Sequence, residues 1–347
     1  MKVIPVLDKD LMWPVPENRS VIRVTERQQF KKCRRRWKYA FRNRLQPINT
    51  KADARTLGTV CHAALAAYYK SLQESQNLPD VIFEERITNA TASLWATWTA
   101  SNLILEEDQI ELGMGILDGY LRNTGGEEAH WHIHAVEQTL YARIPTTNVW
   151  LQGTPDLIIS DYTGALYVYD HKTYRSFLTE EQVEFDDQQT LYIWLLAQNG
   201  IKVRSAIYNM LRKKVPREPQ LLVKGGLSKN KAIDTDKVTY LAAIHKHGLD
   251  PMDYMEFLNE LPDKEFFKRE QVVRSVRQIQ TVEEMLIAEA RDMTYKNIIM
   301  YPNYTRDCTM CDFKELCRTE QDQGDVETTI KNLYSPINEV TLNRRES

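Results

Sequence analysis

VWLQGTPDLIIS (residues 149–160) and ALYVYDHKTY (residues 165–174) are two apolar runs separated by the turn-like sequence DYTG. Their Val, Ile, Leu and Tyr content favours strands, and the turn between them predicts a β-hairpin. With the turn centred on Thr163, Asp156 lies seven residues before it and Asp170 seven residues after it. The two aspartates then oppose each other on one face, with Cβ atoms roughly 5 Å apart. The hairpin therefore presents a pair of carboxylates.

The paired carboxylates indicate a cation site, because two carboxylates that close repel each other unless a cation lies between them. Mg²⁺ fits such a site, since it prefers hard oxygen ligands and keeps several waters. Lys172 follows Asp170 by two residues, so strand alternation puts it on the same face, while His171 points the other way. A lysine there can orient a water or stabilise charge developing on a phosphate. The alternative is a surface salt bridge across the hairpin, because D-x-K alone is a weak signal.

The segments around the hairpin complete an α/β pattern. Helices are predicted at 25–44, 57–72, 181–199 and 235–300, with a further helical region that ends near the TGGEE sequence at 124–128. Strands are predicted at 134–144 and 205–213. Gly200 is expected to cap the helix before it, and the polar tail after Glu320 is expected to be loose.

Two of the predicted helices carry further candidate site residues. Gln188 and Tyr192 are four residues apart, which puts both on one helical face. His62 lies in the apolar helix at 57–72, where a neutral imidazole can bind a metal, although a histidine in that setting is more often a packed core residue. Cys61 is interpreted as a small buried hydrophobe.

The composition is that of a globular protein. The 347 residues suggest about two domain-sized units, and 42% hydrophobic with 27% charged residues leaves ample material for a core. No run of about 18 apolar residues predicts a membrane span, and the N-terminus lacks a signal-peptide core. Five cysteines, an odd number without a secretion signal, indicate a reducing compartment. We therefore expect a cytoplasmic protein of a prokaryote or of a phage-infected host.

The basic residues concentrate near the N-terminus, although the net charge is −3. Between residues 21 and 45 there are ten Lys or Arg against one acid, with aromatic residues interleaved. Cations neutralise phosphates and aromatic rings offer stacking faces, so this stretch is a candidate DNA-binding surface. The candidate DNA-binding residues are Arg34, Arg35, Arg36 and Lys38. The alternative is a solvated amphipathic helix whose aromatic residues pack inward.

Four cysteines form a second candidate site. The spacing Cys308-x2-Cys311-x5-Cys317 groups three thiolates, and Cys33 in the basic stretch is the best candidate for a fourth ligand. Four thiolates suit Zn²⁺ as well as an iron–sulfur cluster. Zinc sites commonly pair two short Cys-x2–4-Cys knuckles, whereas here one ligand lies 275 positions upstream, so the frame favours the cluster.

The motifs occur in an order that resembles the RecB-like branch of the PD-(D/E)XK nuclease superfamily. They are listed in chain order: Gly58-x3-His62, Gly153-Thr-Pro-Asp156, Asp170-His-Lys172 and Gln188-x3-Tyr192. The cysteine frame resembles the iron–sulfur members of that branch, which include CRISPR-adaptation exonucleases, the AddB nuclease subunit and related phage exonucleases. The resemblance runs from about residue 23 to residue 318. The third motif carries Asp170 where many relatives have Glu, so a bound metal must lie nearer the strand.

The resemblance implies a restriction-endonuclease-like fold, with a central mixed sheet flanked by helices and a C-terminal iron–sulfur region. It implies that His62, Asp156 and Asp170 hold Mg²⁺ or Mn²⁺ and that Lys172 positions the attacking water. Gln188 and Tyr192 would contact DNA or support the catalytic site. The four cysteines would hold a [4Fe–4S] cluster, with Zn²⁺ as the alternative.

The expected organisation has five parts: a basic helical region at 1–57 that supplies one cluster ligand, a nuclease core at 58–215 with a helical insertion at about 73–124, a helical region at 216–300, the cysteine cluster at 301–320 and a polar tail at 321–347. The expected function is a metal-dependent DNA exonuclease acting on single strands or DNA ends, in recombination, repair or phage DNA metabolism. A recombination or helicase partner is a further expectation. The alternatives are a structure-specific or nicking endonuclease and a non-catalytic DNA-binding module.

Overall fold

The computed structural model of the chain describes residues 20–48, 54–76, 78, 83–101, 104–128, 130–261 and 265–337. Its α-helices are α1 (Val24–Lys32), α2 (Arg34–Trp37), α3 (Ala54–Ser75), α4 (Phe83–Ser101), α5 (Glu107–Glu128), α6 (Glu180–Phe185), α7 (Gln188–Gln198), α8 (Lys237–Lys246), α9 (Met255–Glu260), α10 (Val276–Thr294), α11 (Lys314–Gln321) and α12 (Val326–Leu333). Its strands are β1 (Ser20–Arg23), β2 (Leu45–Pro47), β3 (His132–Val136), β4 (Leu140–Arg143), β5 (Val149–Gly153), β6 (Leu157–Ser160), β7 (Leu166–Tyr174), β8 (Ser205–Arg212), β9 (Phe267–Val272) and β10 (Tyr334–Pro336). In the described part of the chain, no helix is both long enough and apolar enough to cross a membrane.

A five-stranded mixed sheet forms the centre of the molecule, with the strand order β3-β6-β7-β8-β9. Strands β7 and β8 run parallel, and the remaining neighbouring pairs of this sheet are antiparallel. A second sheet has the order β1-β5-β4, and a short antiparallel pair joins β2 to β10. The expected α/β architecture with a central mixed sheet and flanking helices is confirmed.

Helices cover both faces of the central sheet, because its strands alternate apolar side chains between two cores. Val168 of β7 packs into the core that contains α7 and α10, and its neighbour Tyr169 packs into the core that contains α3, α4 and α5. Helix α7 is buried along almost its whole length, from Gln188 to Leu196. The residues of this helix that reach the site are therefore held by packing on every side.

The two ends of the described chain meet in a separate small core. Tyr39 from the N-terminal region packs against Phe313, and Tyr334 stacks on the same ring. The β2–β10 pair lies beside this core. A second small core forms within the chain segment that connects β8 to β9, where Tyr240 of α8 packs against Phe257 of α9. The N-terminal helices are therefore attached directly to the cysteine-bearing segment.

Several predicted helix boundaries are wrong. The helix predicted at 25–44 is interrupted at Cys33, whose φ of −163° and ψ of 114° are extended, and it continues as α2 and a π-helix at Lys38–Arg42. The TGGEE sequence does not end the helical region, because α5 runs through it to Glu128. The helix predicted at 181–199 is two helices, α6 and α7, separated at Asp186 and Asp187. Gly200 does end α7, with a φ of +76°, as predicted.

Two other expectations about the C-terminal part are corrected. The region at 235–300, predicted as helix, contains β9, which pairs with β8 and so extends the central sheet. The tail after Glu320 is not loose throughout, because it forms α12 and β10. Its apolar residues Val326 and Ile330 pack on the small core at the chain ends. Residues 338–347 and 1–19, also covered by the predicted regions, lie outside the described residues.

Candidate active site and cysteine cavity

Asp156 and Asp170 lie at the same end of the β6–β7 hairpin, next to its last paired residues. Strands β6 and β7 pair with Leu157 opposite Tyr169 and Ser160 opposite Leu166, so that paired residue numbers add to 326. Asp156 directly precedes Leu157 and Asp170 directly follows Tyr169, so the two aspartates flank the last paired residues of the hairpin. Both side chains are buried, with 6% and 2% of their surface exposed. The predicted hairpin thus brings two carboxylates into the protein interior.

The backbone changes sheets immediately before Asp156. Strand β5 belongs to the three-stranded sheet and β6 to the five-stranded sheet, so the predicted single strand at 149–160 is two strands. Gly153 ends β5 beneath α7, where a Cβ atom would lie 2.6 Å from Leu195 and 3.2 Å from Tyr192. Glycine permits this close approach, which packs α7 against the end of β5. The glycine and aspartate of the Gly-Thr-Pro-Asp motif therefore have separate structural roles.

Lys172 is the cation of the site. Its Nζ donates to Asp170 Oδ1 at 3.0 Å and lies 2.9 Å from Oδ2, and about a quarter of its side chain is exposed. Burial by itself would lower the pKa of Lys172, but Asp170 and Asp156 outweigh that effect and hold this pKa above its ordinary value. Lys172 therefore stays charged and links the buried carboxylates to the surface.

The environment separates the two carboxylates in acidity. Burial raises the pKa of Asp170 to about 6, with Lys172 opposing the rise and Asp156 adding to it. Burial also acts to raise the pKa of Asp156, but the interaction with His62, together with the charge of Lys172, is stronger, so its pKa lies below the ordinary value. The His171 backbone N–H also donates to Asp156 Oδ2 at 2.5 Å. The pair thus combines one carboxylate whose pKa is lowered with one whose pKa is raised.

His171 lies on the opposite face of β7, as predicted. Its ring stacks on Tyr69 of α3, with centroids 5.4 Å apart. Its Nδ1 lies 2.7 Å from Asn209 Nδ2, and an amide nitrogen can only donate, so Nδ1 accepts. Burial lowers the pKa of His171 to about 3, which keeps the ring neutral.

A buried polar network continues behind His171. Asn209 Nδ2 also donates to Tyr120 Oη at 2.8 Å, and Tyr120 Oη donates to Glu128 Oε1 at 2.5 Å. Glu128 is fully buried and pairs with Arg269 of β9, whose guanidinium lies over Trp131 at 4.8 Å. This network ties the end of α5 and strand β9 to the part of β7 whose His171 N–H donates to Asp156.

His62 reaches the site from α3. Gly58, one turn earlier, lets α3 approach β7 closely, since a Cβ atom there would lie 3.0 Å from Thr173 Oγ1. His62 Nδ1 lies 3.6 Å from Asp156 Oδ1, and the side chain is almost fully buried. The Gly-x3-His spacing therefore serves a close helix–strand contact and a side chain directed at Asp156.

Gln188 and Tyr192 share one face of α7, as predicted. Gln188 Nε2 donates to Asp170 Oδ1 at 3.2 Å and to Tyr192 Oη at 3.0 Å. Tyr192 Oη donates to the Thr154 carbonyl at 3.4 Å. The structure thus brings together all six predicted catalytic residues, which are His62, Asp156, Asp170, Lys172, Gln188 and Tyr192.

Cys33, Cys308, Cys311 and Cys317 line one cavity of about 360 Å³. Two backbone N–H groups point at Cys33 Sγ, from Arg36 and Asn303, each at 3.5 Å. Arg35 Nη1 lies 3.8 Å from Cys317 Sγ, and burial raises the pKa of Cys311. The predicted pairing of Cys33 with the C-terminal three is thus present as a shared cavity. Cys61 is fully buried in α3 and does not line it.

The four predicted DNA-binding cations each lie against an acidic side chain. Arg34 pairs with Asp292 at 2.8 Å, and Arg36 lies 3.5 Å from Asp312. Glu320 forms ion pairs with the other two cations, with Arg35 at 3.5 Å and with Lys38 at 2.7 Å. These cations therefore join the N-terminal helices to the C-terminal part of the protein, and DNA contact by them stays a prediction.

Over residues 23–318, the chain matches the family model of the PD-(D/E)XK nuclease superfamily. The chain belongs to the PD-(D/E)XK nuclease superfamily. This membership implies a nuclease that acts on DNA, and such enzymes usually use Mg²⁺ or Mn²⁺. No curated protein matches the chain. Among solved structures, "Crystal structure of SSO0001" matches with 14% identity and a TM-score of 0.35, over 86% of this chain and 85% of that chain.

The metal ligands of this PD-(D/E)XK site are not preassembled. Among the residues that the structure describes, no three His, Cys, Asp or Glu side chains converge to hold one ion. In the carboxylate site, Lys172 Nζ contacts both oxygens of Asp170, and the His171 N–H contacts Asp156. Mg²⁺ commonly binds through one or two carboxylates, with waters and substrate phosphate as its other ligands. Asp156 and Asp170 can supply the carboxylates. The assignment of His62, Asp156 and Asp170 as the ligand set stays a prediction.

Glu137 is a residue of the PD-(D/E)XK site that sequence reasoning missed. It lines a small cavity together with His62, Asp156 and His171. Its φ is +47°, a left-handed conformation that is uncommon outside glycine, and its N–H donates to the Asp156 carbonyl at 2.9 Å. No spacing pattern predicts the position of Glu137, because this residue lies in the short connection between β3 and β4. The one available signal was an acidic residue inside a predicted strand.

Proposed function

We propose that the protein is a divalent-metal-dependent DNA exonuclease that acts on single strands or DNA ends, in recombination, repair or phage DNA metabolism. The observation that carries this proposal is the buried Asp156–Asp170 pair with Lys172 bonded to it. Two carboxylates and a lysine form the set that metal-assisted phosphodiester hydrolysis needs.

Each residue of the site has a task that follows from its contacts. Asp156 and Asp170 would hold Mg²⁺ or Mn²⁺ with His62, and the bound cation would stabilise negative charge on the phosphate. Lys172, partly exposed and charged, would orient the attacking water and stabilise charge developing on the phosphate oxygens. Gln188 holds the Asp170 carboxylate by its amide N–H.

A [4Fe–4S] cluster is the proposed occupant of the cysteine cavity. Four thiols from distant chain segments line one cavity of about 360 Å³. The N–H groups aimed at Cys33 Sγ would donate to a thiolate ligand. Zn²⁺ is the alternative, and it would require the four sulfur atoms to close to about 2.3 Å from one metal.

Exonuclease rather than endonuclease action is favoured by the depth of the carboxylates. Because Asp156 and Asp170 are nearly inaccessible, a flexible strand or a frayed end suits the site better than an intact duplex. A structure-specific endonuclease on the same fold is the second candidate. A non-catalytic DNA-binding module is disfavoured, because the carboxylates and the lysine are all present.

The test compares end-labelled linear single-stranded DNA with circular single-stranded DNA, each with Mn²⁺, Mg²⁺ or EDTA. An exonuclease degrades the linear strand with metal and leaves the circle intact. Cutting of the circle assigns the endonuclease, and cleavage of neither substrate assigns the binding module. Lys172→Ala should be inactive, while Lys202→Ala, an exposed lysine in the loop before β8, is the matched control.

A further inference from the structure

The Gln188 side chain ends in a carboxamide whose two ends have similar size and opposite polarity. The nitrogen end donates two hydrogen bonds, and the oxygen end only accepts. In the structure the nitrogen faces Asp170 Oδ1 at 3.2 Å, where a donor is needed beside an ionised carboxylate. The reversed orientation would put oxygen against oxygen there. The orientation of this amide therefore matters to the position of Asp170.

Tyr192 does not select the orientation of Gln188. A phenol hydroxyl can donate or accept, so Tyr192 Oη could pair with either end of the amide. Asp170 favours the observed orientation from one side. The oxygen end of Gln188 has its own contact, because Gln28 Nε2 donates to Gln188 Oε1 at 3.3 Å. Gln28 is therefore the donor that meets the oxygen end of Gln188 in the structure.

Gln28 is held in place by a buried ion-pair cluster on the same helix. Its neighbour Arg27 has no exposed side-chain surface, and it bonds Asp187 at 2.8 Å and pairs with Glu289 of α10. Asp187 is the residue immediately before α7, and Lys31 also bonds it at 2.7 Å. Helix α1 is thus fixed against the start of α7, so Gln28 meets Gln188 at a defined position.

We propose that Gln28 is a positioning residue of the nuclease: by donating to Gln188 Oε1, it keeps the Gln188 amide turned so that its N–H groups hold the Asp170 carboxylate. Gln28 itself is distant in sequence from every motif of the site and does not touch Asp170 in any contact that the structure shows. The inference rests on the proposed nuclease function. It adds the N-terminal helix to the residues that shape the metal-binding carboxylates.

The test uses two substitutions that differ only in hydrogen-bond polarity. Gln28→Glu has nearly the same shape, but when ionised it only accepts, so it cannot donate to Gln188 Oε1. Gln28→Lys is a donor only and should keep the orientation. Lys202→Gln, an exposed position in the loop before β8, changes the net charge by the same amount as Gln28→Glu and is the control.

We expect Gln28→Glu to lower kcat on single-stranded DNA about tenfold or more with KM unchanged, as for one hydrogen bond to a charged group. It should also weaken Mn²⁺ binding, measured by calorimetry without DNA, while its melting temperature stays at the wild-type value. Gln28→Lys and Lys202→Gln should lie within about twofold of the wild type. In a Gln188→Ala background, Gln28→Glu should have no additional effect.

A Gln28→Glu protein with wild-type kcat and wild-type Mn²⁺ affinity overturns the positioning role. Equal losses in Gln28→Glu and Gln28→Lys also overturn it, because they would indicate packing rather than donor polarity. Absence of cleavage by the wild type would instead overturn the proposed function, and the Mn²⁺ affinities of the two variants would then decide the role of Gln28.

Discussion

The carboxylate site and the cysteine cavity are built in opposite ways. The carboxylate site grows from neighbouring strands of one sheet, and its side chains are buried and hydrogen-bonded to one another. The cysteine cavity joins residues almost 300 positions apart, and short helices and loops surround an open volume. The first site is fixed by the fold itself, whereas we expect the second to depend on the group that it holds.

Helix α1 is common to both sites. Arg27 and Gln28 contact the start of α7, and the helix ends at Cys33, which is also the N-cap residue of α2. A change in the cysteine cavity therefore has a short structural route to Gln188. The following predictions use this contrast, from the largest expected effect to the smallest.

Removal of a catalytic side chain should abolish cleavage without unfolding the protein. Asp156→Asn keeps the shape of the side chain and an acceptor for the His171 N–H, but removes the charge that a metal requires. We expect at least a roughly 100-fold loss of cleavage rate for this variant and for Lys172→Ala. The measurements are single-turnover cleavage and thermal melting. Near wild-type rates in either variant would contradict the site assignment.

The proposal that the cysteine cavity holds a [4Fe–4S] cluster is tested by removing one of its four thiols. Cys33→Ser should lose at least about half of the bound iron and melt at a lower temperature, because cofactor binding contributes to folding. Cys61→Ala, in the core of α3, should keep its iron. The measurements are iron content and melting of anaerobically purified protein. Iron lost from Cys61→Ala and kept by Cys33→Ser would place the cofactor elsewhere, and stoichiometric zinc without iron would favour the zinc alternative.

The buried ion pair under α1 should dominate its attachment to α7. Arg27→Ala leaves the Asp187 and Glu289 carboxylates without their buried partner, which should cost about 3–5 kcal/mol of unfolding free energy. Lys31→Ala removes a partly exposed partner of the same Asp187 and should cost about 1 kcal/mol or less. Urea denaturation measures both. Similar costs for the two variants would show that the buried pair is not what anchors the helix.

Metal binding should weaken in mild acid. The pKa of Asp170 is raised to about 6, so the carboxyl gains a proton as the pH falls through that value. Below it, Mn²⁺ affinity should fall by up to about tenfold per pH unit, and binding should release protons. Calorimetry between about pH 5 and pH 7, in two buffers of different ionisation enthalpy, measures both effects. An Mn²⁺ affinity that stays the same across this pH range would contradict the titration of Asp170.

The same titration acts on the metal-free protein in the opposite direction. A carboxyl whose pKa is raised on folding stabilises the folded state below its ordinary value of 3.8, and this contribution is lost as the pH rises through about 6. Asp170→Asn should remove this part of the pH dependence of stability. The unfolding free energy of the metal-free wild type and variant, measured across that range, provides the check.

The geometry of the candidate site could be predicted from the sequence because it is local. The position of the turn puts Asp156 and Asp170 at the same end of the hairpin, and strand alternation fixes Lys172 on one face and His171 on the other. Helical spacing similarly places Gln188 beside Tyr192. Each of these relations spans few residues, so it does not depend on the rest of the fold.

Long-range contacts explain what the sequence could not show. The basic stretch indicated a DNA surface, but acidic partners more than 250 residues away pair with Arg34, Arg35 and Arg36. Helix propensity does not reveal that the N-terminal helix is interrupted at Cys33. This residue lines the cysteine cavity. Glu137 enters the site through a left-handed backbone conformation, which no periodicity predicts.

The central claim is that the Asp156–Asp170 site performs metal-dependent DNA cleavage. Its most direct test is the titration of metal-stripped wild-type protein with Mn²⁺, while cleavage of end-labelled single-stranded DNA is followed, with Asp156→Asn measured in parallel. The account predicts no cleavage in EDTA, cleavage that rises with Mn²⁺ in the wild type, and none in Asp156→Asn. Cleavage by the wild type in EDTA, or equal Mn²⁺-dependent cleavage by Asp156→Asn, would contradict it.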